Sequence, residues 1–77
     1  MSYGYSIKVV ELNKKADRKS LGVILGRECI KRNIPVSEVA SMLGVSRQTI
    51  YNWFTGETYP QPQVADLISE FLTTLRH

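Results

Sequence analysis

A glycine followed two residues later by a serine breaks two helical patterns in the middle of the chain. That break, Gly44-Val45-Ser46, constrains the fold more than any other feature. Gly44 can take the positive φ that stops a helix, a conformation other residues adopt at a cost. Ser46 is a good cap for a second helix, because its hydroxyl can accept from an orphan first-turn N–H. The pattern predicts one helix over residues 36–43, with Val39, Ala40 and Leu43 inward, and another over residues 47–55, stopped by Gly56. Pro35 is tolerated at the start of the first, where N–H groups lack partners anyway. Glu38 in its first turn suits the positive helix end. So short a joint crosses the helices steeply, leaving one exposed while the other supports it. Ala40 then faces Ile50, where a larger side chain would force the helices apart, and Val45 and Trp53 complete the apolar glue. Substituting Gly44 by valine is expected to distort the joint or unfold it.

The flanking segments read mostly as further helix. Leu21, Ile24, Leu25 and Cys29 follow helical spacing, with Asp17 or Ser20 as the cap and Arg27, Lys31 and Arg32 complementing the negative end. Gly22 and Gly26 lie four apart on one face, which marks the close approach of a neighbouring helix. Pro35 ends the pattern. Pro60 and Pro62 make a stiff loop, after which Val64, Ile68, Phe71, Leu72 and Leu75 repeat at three and four, an amphipathic closing helix. The start differs: Tyr3, Tyr5, Ile7 and Val9 alternate with polar residues, a period-two strand signal. A lone strand has nothing to pair with here, so it stays flexible, packs as an extended arm, or pairs with its copy in a second subunit. Residues 13–19, polar and basic, read as a linker or the lead-in to a helix. The expectation is an all-α fold, a compact bundle of four or five short helices. Residues 1–17 form an extended or flexible N-terminal arm and residues 18–77 the domain, with the two-helix motif at about 36–55.

Seventy-seven residues allow one domain with a small core. The single cysteine, Cys29, excludes an internal disulfide and cannot form a zinc site alone; it reads as a core or semi-buried residue. The apolar stretch over residues 7–12 is too short to span a bilayer and lacks a signal-peptide layout, so a cytoplasmic protein without membrane partners is expected. Catalysis finds little support. The only histidine, His77, is terminal, and there is no glycine-rich phosphate loop, metal spacing or visible nucleophile–base pair, so no cofactor is expected. The net charge of +3 conceals an asymmetry. Residues 1–35 carry eight basic against three acidic side chains, a net of +5, whereas residues 36–77 carry two against four, a net of −2. A positive half suits a polyanionic partner, and it also fits a merely solvated face.

Ala40, Gly44, Val45, Ser46, Ile50, Trp53 and Gly56, with the string VSRQTIYNW, resemble the lambda-repressor-like (Cro-type, XRE) helix-turn-helix domain. The likeness spans roughly residues 18–75. It implies a double-stranded DNA-binding regulator, of a kind found in bacteria and bacteriophages as a repressor, acting as a homodimer with its second motif helix in the major groove. In the family, the first two residues of that helix and the sixth commonly face base edges; here these are Arg47, Gln48 and Asn52. Arg can bond bidentately to guanine, and Gln or Asn to adenine. Thr49 is assigned to a thymine methyl or a phosphate, and Tyr51, which shares the exposed face, to phosphate or sugar. Ser46, Ser37 and Thr55 are further phosphate or sugar candidates.

Three departures stand out. Val36 replaces a Gln that anchors a phosphate in many members, leaving Ser37 or a backbone N–H for that role. Phe54 replaces a common Glu, either completing the core or seeding a contact between subunits. Residues 36–55 carry no net charge, so the counterion-release part of binding falls to Lys14, Lys15, Arg18, Lys19, Arg27, Lys31 and Arg32. No small-molecule effector is expected, because the chain has no separate sensing domain; concentration and dimerisation would regulate it. Two rival readings keep the same fold: a protein-binding adaptor acting on a bacterial host protein, and a nonspecific architectural DNA-binding protein.

Overall fold

The computed structural model describes residues 5–75, and among them every regular element is a helix. In chain order these are α1 (Ile7–Lys15), α2 (Leu21–Arg32), α3 (Val36–Leu43), α4 (Arg47–Phe54) and α5 (Pro62–Leu75). The bundle of five bears out the all-α expectation.

One segment departs from it. Residues 7–15, expected to be extended, form α1. Ser6 starts the helix, its hydroxyl accepting from the Val9 N–H at 3.2 Å. Lys14 and Lys15 close it in the last turn, where positive charge meets the negative helix end. The apparent alternation dissolves because its members have different fates. Tyr5 lies just before the helix and is buried, Ile7 is 78% exposed, and Val9 packs on the core together with Val10. Tyr3 lies outside the described residues. The polar Asn13, read as part of a linker or the lead-in to a helix, is buried within α1 instead. What joins α1 to α2 is a tight turn, in which the Asp17 carboxylate accepts from the Lys19 N–H at 2.9 Å.

Helix α2 is the centre of the molecule, touching α1, α4 and α5, while α3 touches α4 and α5. Asp17 does not cap it; Ser20 occupies the cap position without a side-chain capping bond. Its C-terminus stops two residues before Pro35, at Asn33, which takes the left-handed conformation with φ 58°. The Ile34 N–H then returns to the Cys29 carbonyl at 2.8 Å. Leu25 and Cys29 of α2 share one core with Val39 of α3, Ile50 and Phe54 of α4, and Ile68 of α5, all fully buried. Gly22 and Gly26 do permit close approach: a Cβ at 22 would lie 2.8 Å from the Trp53 Cβ, and one at 26 would lie 2.9 Å from the Phe54 ring.

Burial decides the chemistry of Cys29. It pushes the thiol up from its ordinary 9.0 to about 12, with Glu28 and Glu38 adding to the effect. The fold therefore favours the neutral thiol. That preference is fully present below pH 9 and is lost as pH rises through about 12. Iodoacetamide at pH 8 should thus modify Cys29 only at the rate of unfolding, and the urea midpoint should fall between pH 9 and 12. Prompt labelling of the folded chain would show the side chain to be accessible.

Candidate nucleic-acid interface

The joint between α3 and α4 is built as its residues require. Gly44 sits at φ 70° and ψ 33°, and the Val45 N–H reaches back to the Ala40 carbonyl at 3.1 Å, closing the end of α3. Nothing lies within 4 Å of a Cβ placed on Gly44. A substitution there therefore costs backbone strain, about 1–2 kcal/mol, rather than a clash. Ser46 caps α4, its Oγ accepting from the Thr49 N–H at 3.1 Å and lying 2.9 Å from the Thr49 hydroxyl. Val39, Ala40 and Leu43 of α3 and Ile50, Trp53 and Phe54 of α4 point into one core, which Val45 joins from the joint. Phe54 is fully buried, so it completes the core; Val36, in place of the family's Gln, is buried as well.

The outer face of α4 is polar. Arg47 and Gln48 are exposed, while Thr49, Tyr51, Asn52 and Thr55 are half-buried. The Gln48 Nε2 donates to the Asn52 Oδ1 at 3.0 Å, so the two side chains are tied before any ligand arrives. This leaves the Gln48 Oε1, its second N–H and both Asn52 N–H groups available. Tyr51 turns its ring partly onto the core. Thr55 spends its single hydroxyl proton on the Tyr51 carbonyl at 3.0 Å, leaving only acceptor capacity outward. Ser37 is exposed in the first turn of α3.

The cations divide into two groups. Lys14, Lys15, Arg18, Lys19 and Lys31 are exposed. Arg27 is committed to the end of α1, its Nη2 donating to the Asn13 and Lys14 carbonyls at 3.3 Å each. Arg32 pairs with Glu28 at 3.1 Å. The basic run at 14–19 begins beside the exit of α4, since a Cβ on Gly56 would lie 3.1 Å from that of Ala16. Sequence periodicity missed Tyr5 and Asn13, the residues that secure α1. The spacing of Val9, Val10 and Asn13 was the available signal.

Among the described residues, no group of His, Cys, Asp or Glu could hold a metal ion, and no helix is long and apolar enough to cross a membrane. Comparison with known families matches a helix-turn-helix family model to residues 25–74, from within α2 nearly to the end of α5, leaving α1 outside. No curated protein and no solved structure matched the chain. The matched span covers well over half of the chain and contains the α3–α4 joint. On that basis the chain belongs to the helix-turn-helix family of the XRE, lambda-repressor-like type, a non-enzymatic regulatory domain that binds double-stranded DNA.

Proposed function

We propose that the chain is a sequence-specific repressor of bacterial or phage type, which lays α4 in the major groove and occupies a promoter as a homodimer. The observation that carries this reading is the outer face of α4. Arg47 and Gln48 are exposed at its start, and Gln48 is already tied to Asn52. With one amide N–H held by Asn52, Gln48 keeps the acceptor and donor that match the N6 and N7 edge of adenine, while Arg47 can take a guanine. Thr49 and Tyr51 border this surface, with the Thr49 methyl suited to thymine and the Tyr51 hydroxyl to phosphate. Ser46 and Ser37 flank it as phosphate or sugar contacts, whereas Thr55 must first release the Tyr51 carbonyl before it can donate to the backbone.

Most of the electrostatic grip is assigned to Lys14, Lys15, Arg18 and Lys19 beside the α4 exit, with Lys31. For the second copy, the closing helix has better support than the N-terminal segment, because Tyr5 is used inside the molecule. Met42 and Leu67, each about half exposed, border a groove of about 340 Å³ between α3 and α5 that Leu43 and Phe71 floor. Half-sites would lie about 34 Å apart, one turn of the duplex.

The test is binding to a selected duplex pool and to a random duplex at two salt concentrations. A sequence-specific regulator keeps a large selected-to-random ratio as salt rises, whereas nonspecific affinity collapses. No binding to either would favour the adaptor reading. Arg47→Ala and Gln48→Ala should each lose about 1–3 kcal/mol of preference at particular base positions. Lys15→Ala should weaken all sequences alike and lower the salt slope by about 1. A uniform loss with Arg47→Ala would remove that residue from base reading.

A further inference from the structure

The last four carbonyls of any helix lack partners inside it. In α4 they belong to Tyr51, Asn52, Trp53 and Phe54. The turn after the helix satisfies three: the Thr55 N–H reaches Tyr51 O at 3.0 Å, the Gly56 N–H reaches Trp53 O at 3.2 Å and the Glu57 N–H reaches Asn52 O at 2.9 Å. Phe54 is fully buried, so water cannot serve its carbonyl. Its partner comes from 41 positions away: the Asn13 Nδ2 donates to it at 2.7 Å and to the Val23 carbonyl at 3.1 Å. Asn13 is itself only 2% exposed. The opposite end of α1 is secured in a similar way. The Tyr5 hydroxyl donates to the Ile34 carbonyl, directly before Pro35 and α3, and the Tyr5 ring stands 6.0 Å from that of Phe54. Helix α1, outside the span that the family match covers, is therefore tied to backbone or side chain at both ends of the α3–α4 pair.

We propose that Asn13 is a positioning residue for DNA recognition. Through the Phe54 carbonyl it holds the C-terminal end of α4, and so sets the angle at which Arg47, Gln48 and Asn52 are presented. The inference rests on reading α4 as the base-reading helix. It explains why a glycine stands at 26: a Cβ there would lie 2.6 Å from the Asn13 Nδ2.

The test compares Asn13→Ala with Leu72→Val, a core substitution on α5, both under conditions where circular dichroism shows them folded. Asn13→Ala should lower the selected-to-random ratio by about tenfold, the equivalent of one lost base contact. Leu72→Val should leave the ratio within about twofold even where the stability loss is similar, since a generic loss of stability leaves the folded interface intact. An unchanged ratio in folded Asn13→Ala overturns the proposal. A wild-type ratio near one would instead sink the base-reading assignment. In that case, or if Asn13→Ala does not fold, native-state hydrogen exchange on the wild-type chain decides. The amides of α1 and those of Gly56 and Glu57 should open together, as one unit. Fast, separate exchange of α1 with the α4 end still protected would show that Asn13 does not hold it.

Discussion

Gly26→Ala is expected to cost the fold about 3 kcal/mol or more, against a total stability of roughly 4–12 kcal/mol for a chain of this length. Two effects compete. Alanine favours a helix interior over glycine by about 1 kcal/mol. The added Cβ, however, would stand 2.6 Å from the Asn13 amide nitrogen and 2.9 and 3.0 Å from the Cγ and Cβ of Phe54. Moving Asn13 aside would unpair the buried Phe54 carbonyl, worth about 1–3 kcal/mol alone, in addition to the overpacking. Steric crowding wins over propensity. The measurement is a urea unfolding curve, where the midpoint should drop sharply; a midpoint at or above that of the wild type would mean that α1 and α4 do not approach α2 so closely. Gly22→Ala should act in the same direction, because its neighbours at 2.8–3.2 Å include the Trp53 backbone, which cannot rotate away.

Phe54→Ala is expected to cost about 3–5 kcal/mol, the usual range for removing a buried phenyl ring. The ring is the largest fully buried side chain of the described residues and adjoins both Tyr5 and Gly26. Its loss would open a void where α1, α2 and α4 meet. Thermal unfolding with Phe54→Leu alongside measures the effect, since leucine keeps most of the volume and should cost less than alanine. If Phe54→Ala changed the stability by under about 1 kcal/mol, the assignment of Phe54 to the core would be wrong. The family's more usual Glu at this position could not be buried here without a partner.

The candidate interface was legible in the sequence to the extent that it is local. Gly44, Ser46 and Gly56 act through φ and capping within a few residues, and the structure places all three as expected, with φ 70° at Gly44 and 82° at Gly56. The inward faces of α3, α4 and α5 were legible for the same reason, because helical periodicity repeats every turn. What could not be seen was the state of side chains whose partners are distant or ambiguous. Arg27 and Arg32 counted as free cations until their bonds to α1 and to Glu28 appeared. The bond that holds the hydroxyl proton of Thr55, a phosphate or sugar candidate, on the Tyr51 carbonyl was equally hidden.

The N-terminal segment marks the boundary most clearly. Tyr5, Ile7 and Val9 fit a period-two pattern, while Val9, Val10 and Asn13 fit a helical one, and so short a window cannot choose between them. The choice was made by two residues whose partners lie on other elements, Tyr5 with Ile34 and Phe54, and Asn13 with Val23 and Phe54. Each gives a polar group a buried partner that exists only once the other helices are packed. The sequence alone determined the helix-turn-helix pair and its outward-facing Arg47 and Gln48, because turn geometry, capping and periodicity are short-range. Only the tertiary structure decided that residues 7–15 are a helix braced against that pair, because the free energy that orders them comes from burial and hydrogen bonds up to 41 positions away.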